Sequence, residues 1–372
     1  MRYGMQYLKT ENVHLIKDMG MIPYKLFKRH GFQSSVITYE NGEYPYLNKE
    51  VRGLNINFAK KFFHSFSLDG AVYLIKHAKE YDIIQIFHTT LSSVIYAYIY
   101  KAFNPKGKIY LKLDCSHKLV ERIRGLNALS YRFLNKFFSK IDLISVEQEA
   151  LYPKIKELLP RQQHKIIKVS NGVDYDYIET LNLEYDFSKK ENIILNVARI
   201  GAEEKNTSML LEAFANIKDI EKTDWKLVLV GPVEKNFESY ISDYFAKYPK
   251  IINKVIIKGN IDDRRELYME YQRSKIFSLT SDFESFGIAF IEAAAFGDVI
   301  VATDVGIAKE IVGDNNGRLV PVGDVNTLTK ALEESIYNLD LEYISNKTYE
   351  LTKEKYDWNK IIDYLHEELV KI

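Results

Sequence analysis

A single cysteine, Cys115, stands in 372 residues. It excludes an internal disulfide and fits a reducing compartment. No His/Cys cluster has zinc-ligand spacing, so no zinc site is expected. Long hydrophobic runs are also lacking. The most lipid-like stretch, 94–100, is far shorter than the roughly 20 apolar residues that span a bilayer. Arg2, Lys9, Glu11, His14, Lys17 and Asp18 interrupt any N-terminal signal pattern, and a cytoplasmic location is expected. Low-complexity tracts and proline-rich linkers are missing too.

Net charge is zero, with 51 basic and 51 acidic residues, yet the charge is unevenly placed. Residues 1–180 hold 27 Lys and Arg against 17 Asp and Glu, and residues 181–372 hold 24 against 34. Such a split suggests two halves with different partners. The basic half suits an anionic membrane surface or an anionic substrate, unless solvated surface charge has simply segregated. No nucleic-acid partner is expected.

At this length two domains are the natural expectation. Strand-like runs at 35–38, 83–87, 108–113, 143–146 and 166–169 alternate with helical stretches. That alternation predicts an α/β fold with mostly parallel sheets, whose ligands sit beyond the strand C-termini. Three first-half loops therefore matter. One holds His88 after 83–87, and one holds Asp114 after 108–113. The third is 20–24 (GMIPY), read as a loop before a helix over 25–30. His88 and Asp114 would face one crevice, in a catalytic or merely structural role. The segment 117–140 carries Arg124, Arg132, Lys136 and Lys140 interleaved with Leu and Phe. It reads as an interfacial helix or as a core-facing helix with a basic outer side, and both can hold. The stretch 58–64 (FAKKFFH) has similar character.

The turn VSNGVD (169–174) leads into a polar stretch, and a linker is placed at 176–188. D-x-D spacing at 174–176 continues that turn and is read as structural. A second series of strands follows at 193–197, 226–230, 255–257, 276–279 and 299–302. Arg199 and Lys205 after the first of these could clamp a diphosphate, Arg as a fork and Lys as a point charge, or could be surface charges. Gly259 closes the third strand. The stretch 281–297 (SDFESFGIAFIEAAAFG) places Gly287 at a helix start between Glu284 and Glu292. A helix N-terminus favours an anion, and flanking carboxylates can accept hydroxyls.

The motifs NVARIGAEEKN (196–206), LVLVGP (227–232), SDFESFGIAFIEAAAFGDVIVATDVG (281–306), NGRLVPVGD (316–324) and YDWNKI (356–361) occur in order. In this the second half resembles the retaining glycosyltransferases of family 4. The resemblance implies the GT-B fold, two Rossmann-like domains facing each other across a cleft. The divisions would be 1–175 for the acceptor, 189–355 for the donor, and 356–372 as a helix crossing back. It implies a nucleotide-sugar donor, UDP-linked before GDP-mannose, with no cofactor and no metal. Arg199 and Lys205 would hold the diphosphate, with Gly287, Ile288, Phe286, Gly259 and Gly20 around the nucleotide. Glu292 would take the ribose, and Glu284 would lie near the donor sugar. The acceptor would be a glycan or lipid-linked glycan at the cytoplasmic face of the membrane. Two departures stand out: Met21, Ile22 and Pro23 follow Gly20 where the family has paired glycines, and Asp114 falls where many members have His. The rivals are another GT-B enzyme, such as an epimerase or phosphorylase, and a catalytically silent binding or scaffold member.

Overall fold

Runs such as IIQIF (Ile83–Phe87) and VIVAT (Val299–Thr303) are buried along their whole length. A strand covered by helices on both faces needs that continuous apolar pattern. A computed structural model of the chain describes residues 1–113, 116–313 and 316–372. The chain divides into two units, Met1–Gly172 with Trp358–Ile372, and Val173–Asp357.

The first unit is built on a seven-stranded parallel sheet. Its strands are β1 (Arg2–Gln6), β2 (Gln33–Thr38), β3 (Asn55–Phe58), β4 (Ile83–Phe87), β5 (Lys108–Leu113), β6 (Leu143–Val146) and β7 (Ile166–Lys168), in the order β3-β2-β1-β4-β5-β6-β7. Helices α2 (Phe66–His77), α3 (Leu91–Phe103), α4 (His117–Arg124), α5 (Ala128–Phe138) and α6 (Tyr152–Leu158) pack in one core cluster. Helices α1 (Asp18–His30) and α15 (Trp358–Lys371) pack in another. Trp358, Ile362, Leu365 and Leu369 of α15 are buried there. Each such side chain contributes roughly 1.5–3 kcal/mol of transfer free energy.

The second unit carries a six-stranded parallel sheet, ordered β10-β9-β8-β11-β12-β13. Its elements begin with α7 (Tyr175–Thr180), β8 (Glu191–Val197), α8 (Thr207–Ala215), β9 (Lys226–Val230), α9 (Glu238–Lys247) and β10 (Val255–Gly259). Then come α10 (Arg264–Arg273), β11 (Ser274–Phe277), α11 (Ile288–Ala295), β12 (Val299–Thr303), α12 (Ala308–Val312), β13 (Gly317–Val320), α13 (Val325–Tyr337) and α14 (Leu341–Lys355). Side-chain caps start several helices: Asp263 accepts from Arg265 N and Glu266 N, and Asp324 accepts from Thr327 N.

Two sequence expectations change. Residues 20–24 are helix, not loop, because α1 already begins at Asp18. A Cβ on Gly20 would lie 2.1 Å from the Leu15 carbonyl oxygen. Here glycine permits close backbone packing, while Met19, Met21 and Ile22 fill the core. Residues 176–188, placed as the linker, fall within the second unit. Asp174 caps α7 through Tyr177 N at 3.3 Å, and Ile178 and Leu183 enter the core of the second unit. Asp174 of the D-x-D triplet thus serves as a cap.

The α1–α15 contact includes a stacked pair of imidazoles, His30 and His366, with centroids 3.8 Å apart. Burial, then the neighbouring His30, lowers the His366 pKa from 6.5. Burial and Lys17 do the same to His14. Groups that take protons less readily folded than unfolded contribute stability above pH 6.5, and it is lost as pH falls through their folded values. The melting temperature should therefore fall between pH 7 and pH 5. His366→Gln should flatten that slope in a thermal melt series, and an unchanged slope would remove His366 as a cause.

Candidate active site

The loop joining β11 to α11 is fixed before any side chain reaches outward. Thr280 Oγ1 donates to the carbonyls of Lys205 (3.2 Å) and Asn206 (3.0 Å). Thr303 Oγ1 donates to the Ser281 carbonyl at 2.7 Å, and Ile307 N donates to the Phe286 carbonyl at 3.0 Å. Gly287 caps α11 with φ 88°, a left-handed conformation that glycine adopts at little cost. A Cβ on Gly306 would lie 2.3 Å from the Phe286 carbonyl oxygen, so the next loop approaches as closely as backbone allows. The first N–H groups of α11 have no partners within the helix and form an electropositive end.

Around this end stand three basic residues, each paired with a carboxylate. Lys205 Nζ donates to Glu284 Oε1 at 2.6 Å, and Ser281 Oγ donates to the same oxygen at 2.8 Å. Both side chains of that pair are four-fifths buried or more. Arg199 pairs with Glu204 and reaches Glu234 at 3.8 Å, and it is exposed. Glu292 accepts from Arg264 Nη1 and from Tyr271 Oη, each at 3.2 Å. Arg264 also lies over the Tyr268 ring, 4.5 Å from its centroid. Burial, then the Glu292 charge, raises the Tyr271 phenol well above its ordinary value, so Tyr271 stays a hydrogen-bond donor.

Glu284, Arg199, Lys205, Gly287, Ile288, Glu292 and Gly259 all belong to this unit: Glu292 lies within α11, Gly259 ends a strand, and the others lie on loops or helix starts that follow strands. Gly259 ends β10 at φ 73°, and no heavy atom lies within 4 Å of where its Cβ would be. Phe286 has a different place from the one expected. Its ring is buried in the core against Tyr356, so it packs instead of facing a ligand. Gly20, in the first turn of α1, is likewise packed against backbone. Sequence reasoning gave no role to Arg264, Tyr271, Ser281 or Glu204. The one available signal for Arg264 was its place at a helix start after Gly259.

In the first unit His88 follows β4 at φ 57°, with its N–H on the Lys112 carbonyl at 3.1 Å. It lines a cavity of about 300 Å³ with Gln6, Tyr7, Phe66, Leu91 and Tyr96. Asp114 lies outside the described residues. Behind this region Lys112, fully buried, pairs with Glu147 and with Asp18 at 3.2 Å, and Asn171 Nδ2 donates to Glu147 Oε1 at 3.1 Å. Arg124, Arg132, Lys136 and Lys140 are exposed, and Leu129 and Phe133 on the outer side of α5 are each 65% exposed. Phe137 and Phe138 on its inner side are buried. Among the described residues no three His, Cys, Asp or Glu side chains are grouped to hold a metal, and no helix is long and apolar enough to cross a membrane.

Residues 178–350 match the family of glycosyl transferases group 1. That match lies within the second unit, Val173–Asp357. N-acetyl-alpha-D-glucosaminyl L-malate synthase of Bacillus anthracis is 28% identical over 193 residues, 48% of each protein. An uncharacterized glycosyltransferase of Methanocaldococcus jannaschii is 22% identical over 90% of this chain and 88% of its own. The chain spans about half the length of most curated relatives it matches. Among solved structures, the Anabaena protein HepE, in complex with UDP and glucose, superposes with TM-score 0.72 at 17% identity over the whole of both chains. A glycosyltransferase from Rickettsia africae gives 0.74 at 20% identity over 98% of this chain and 97% of its own. These likenesses establish the GT-B fold, with two Rossmann-like domains.

Proposed function

We propose that this protein is a group 1 glycosyl transferase that transfers a sugar, with retention of configuration, from a nucleotide-diphospho-sugar to a glycan or lipid-linked acceptor. A UDP-sugar is favoured over GDP-mannose. The observation that carries the reading is the Lys205–Glu284 pair at the mouth of the Gly287-headed helix, with Glu292 just inside that helix. A diphosphate offers Lys205 and Arg199 stronger partners than the carboxylates they hold in the free protein. Lys205 then turns to the leaving diphosphate, and Glu284 is released toward the sugar hydroxyls and the charge that develops at the anomeric carbon. Glu292, freed from Arg264 and Tyr271 or sharing them, accepts from the ribose. Arg199, Lys205 and the amides of Gly287 and Ile288 supply the positive field that a metal supplies in other transferases, so no metal is required. The acceptor is held by the basic first unit at the cytoplasmic face of the membrane, with Arg124, Arg132, Lys136 and Lys140 turned to anionic lipid.

The test pairs a thermal-shift panel of UDP-, GDP- and ADP-sugars with a donor-hydrolysis assay. A UDP-sugar at a hundredfold excess over its dissociation constant should stabilise the fold by about 2.7 kcal/mol. Hydrolysis should persist in EDTA. No shift with any nucleotide would end the reading, and binding without hydrolysis or transfer would leave a silent member. Loss of hydrolysis in EDTA, restored by Mg²⁺ or Mn²⁺, would overturn the metal-free mechanism alone.

A further inference from the structure

Among the described residues, all six Phe side chains that are more than a third exposed belong to the first unit: Phe58, Phe62, Phe63, Phe66, Phe103 and Phe133. Four of them fall within nine residues, at the end of β3, along the following loop and at the start of α2. Phe62 and Phe63 are 54% and 60% exposed. A soluble surface seldom concentrates large apolar side chains in this way without a partner.

The exposure does not come from an untethered loop. Asp69, fully buried, accepts from the backbone N–H groups of Phe62 (3.1 Å), Phe63 (2.8 Å) and Ser65 (3.2 Å) and from Tyr39 Oη (2.6 Å). Burial pushes its carboxyl up, yet those hydrogen bonds outweigh it and hold the pKa below the ordinary value, so Asp69 is ionised. The polar backbone of the loop is satisfied inward, and the two rings are left outward. Lysines stand close to the rings. Lys60 and Lys61 lie in the loop, Lys9 sits over Phe66 and Lys76 over Phe62. The α2 helix of this patch packs on α3, and Tyr98 of α3 lies beneath Lys140 at the end of α5. The outer side of α5, in the same unit, shows Leu129, Arg132, Phe133 and Lys136.

We infer that the Phe58–Leu68 loop is an interfacial anchor: Phe62 and Phe63 enter the headgroup–acyl boundary of an anionic bilayer, with Lys60 and Lys61 on the lipid phosphates. Aromatic rings partition into that boundary, and each nearby lysine adds attraction to an anionic surface. Two weak contacts on one unit, this loop and α5, would give the reversible two-signal attachment of a peripheral protein. The inference extends the membrane-face part of the proposed function, and donor hydrolysis in solution reports independently on the catalytic part.

The experiment is co-sedimentation of the full chain with vesicles of phosphatidylcholine, with and without phosphatidylglycerol, at low and high salt. The wild type should bind the anionic vesicles and be released by salt. Phe62→Ser/Phe63→Ser should weaken binding by about tenfold or more. Lys60→Glu/Lys61→Glu should weaken it about fivefold or more per charge. Both variants should keep the wild-type melting temperature and donor hydrolysis. A wild type that does not bind, or binding unchanged in both variants, overturns the anchor. A Phe double variant that loses self-association while keeping vesicle binding also overturns it and makes the patch an interface between copies of the chain. If the Phe variant misfolds, the Lys variant and brominated-lipid quenching of a Phe63→Trp probe decide the matter. Quenching supports insertion, and its absence refutes it.

Discussion

Lys205→Ala is expected to lower the turnover of donor hydrolysis or transfer by about 10²–10³-fold, the cost of removing one well-placed group from a developing anion. The side chain is four-fifths buried and sits 2.6 Å from Glu284. In that setting a cation is screened far less than at the surface. In the proposed reaction negative charge on the diphosphate grows as the glycosidic bond breaks, so Lys205 should affect kcat beyond its effect on KM. Arg199, which is exposed, should matter less to kcat, with a loss of about tenfold spread over KM and kcat. Glu284→Gln keeps the shape but removes the charge, and in a double-mutant cycle with Lys205→Ala the losses should not add. The backbone at position 205 remains tied to Thr280 in the variant, so the fold should survive. A Lys205→Ala protein within threefold of wild-type kcat would sink the assignment.

The second large effect concerns stability. Lys112→Met should destabilise the first unit by about 3–5 kcal/mol, because it leaves Glu147 and Asp18 buried beside an apolar chain. For a domain of this size that is a fall in Tm of roughly 6–20 °C. Removing one partner is costly, whereas removing the pair is not: the double variant Lys112→Met/Glu147→Leu should recover much of the loss, despite the orphaned Asn171 amide. Chemical denaturation of the single and double variants measures both. A single variant as stable as wild type would show that water reaches these carboxylates.

Sequence patterns located elements whose burial was uniform and missed those shaped by a distant contact. Strands β5, β6 and β9 fall where their apolar runs predict them. Strand β1, RYGMQ, does not read as a core strand, because Gln6 is polar and Gly4 is a poor strand former. Yet a Cβ at Gly4 would meet the Tyr81 ring at 2.7 Å, and Gln6 Nε2 is satisfied by the Gly70 carbonyl. Both reasons lie more than sixty residues away. Gly20 misled for the opposite reason: Gly-Met-Ile-Pro looks like a turn locally, while three core-facing side chains hold it as helix. At the candidate site, the helix start at Gly287 between the two glutamates was legible. The partners were not, because Lys205 lies 79 residues from Glu284 and Arg264 lies 28 from Glu292. The lysine within the apolar strand IYLKL was itself a signal, since a charge at a buried position implies a buried counter-charge.

The return of α15 to pack on α1 has a consequence for synthesis on the ribosome. Residues 173–357 form one uninterrupted unit and can complete their core as soon as they have emerged. The first unit, though translated first, must wait for Trp358, Ile362, Leu365 and Leu369 to close over Met19, Met21 and Ile22. Until then one apolar face of the nascent chain stays open, so the half made earliest is the last to finish and the one more dependent on chaperones.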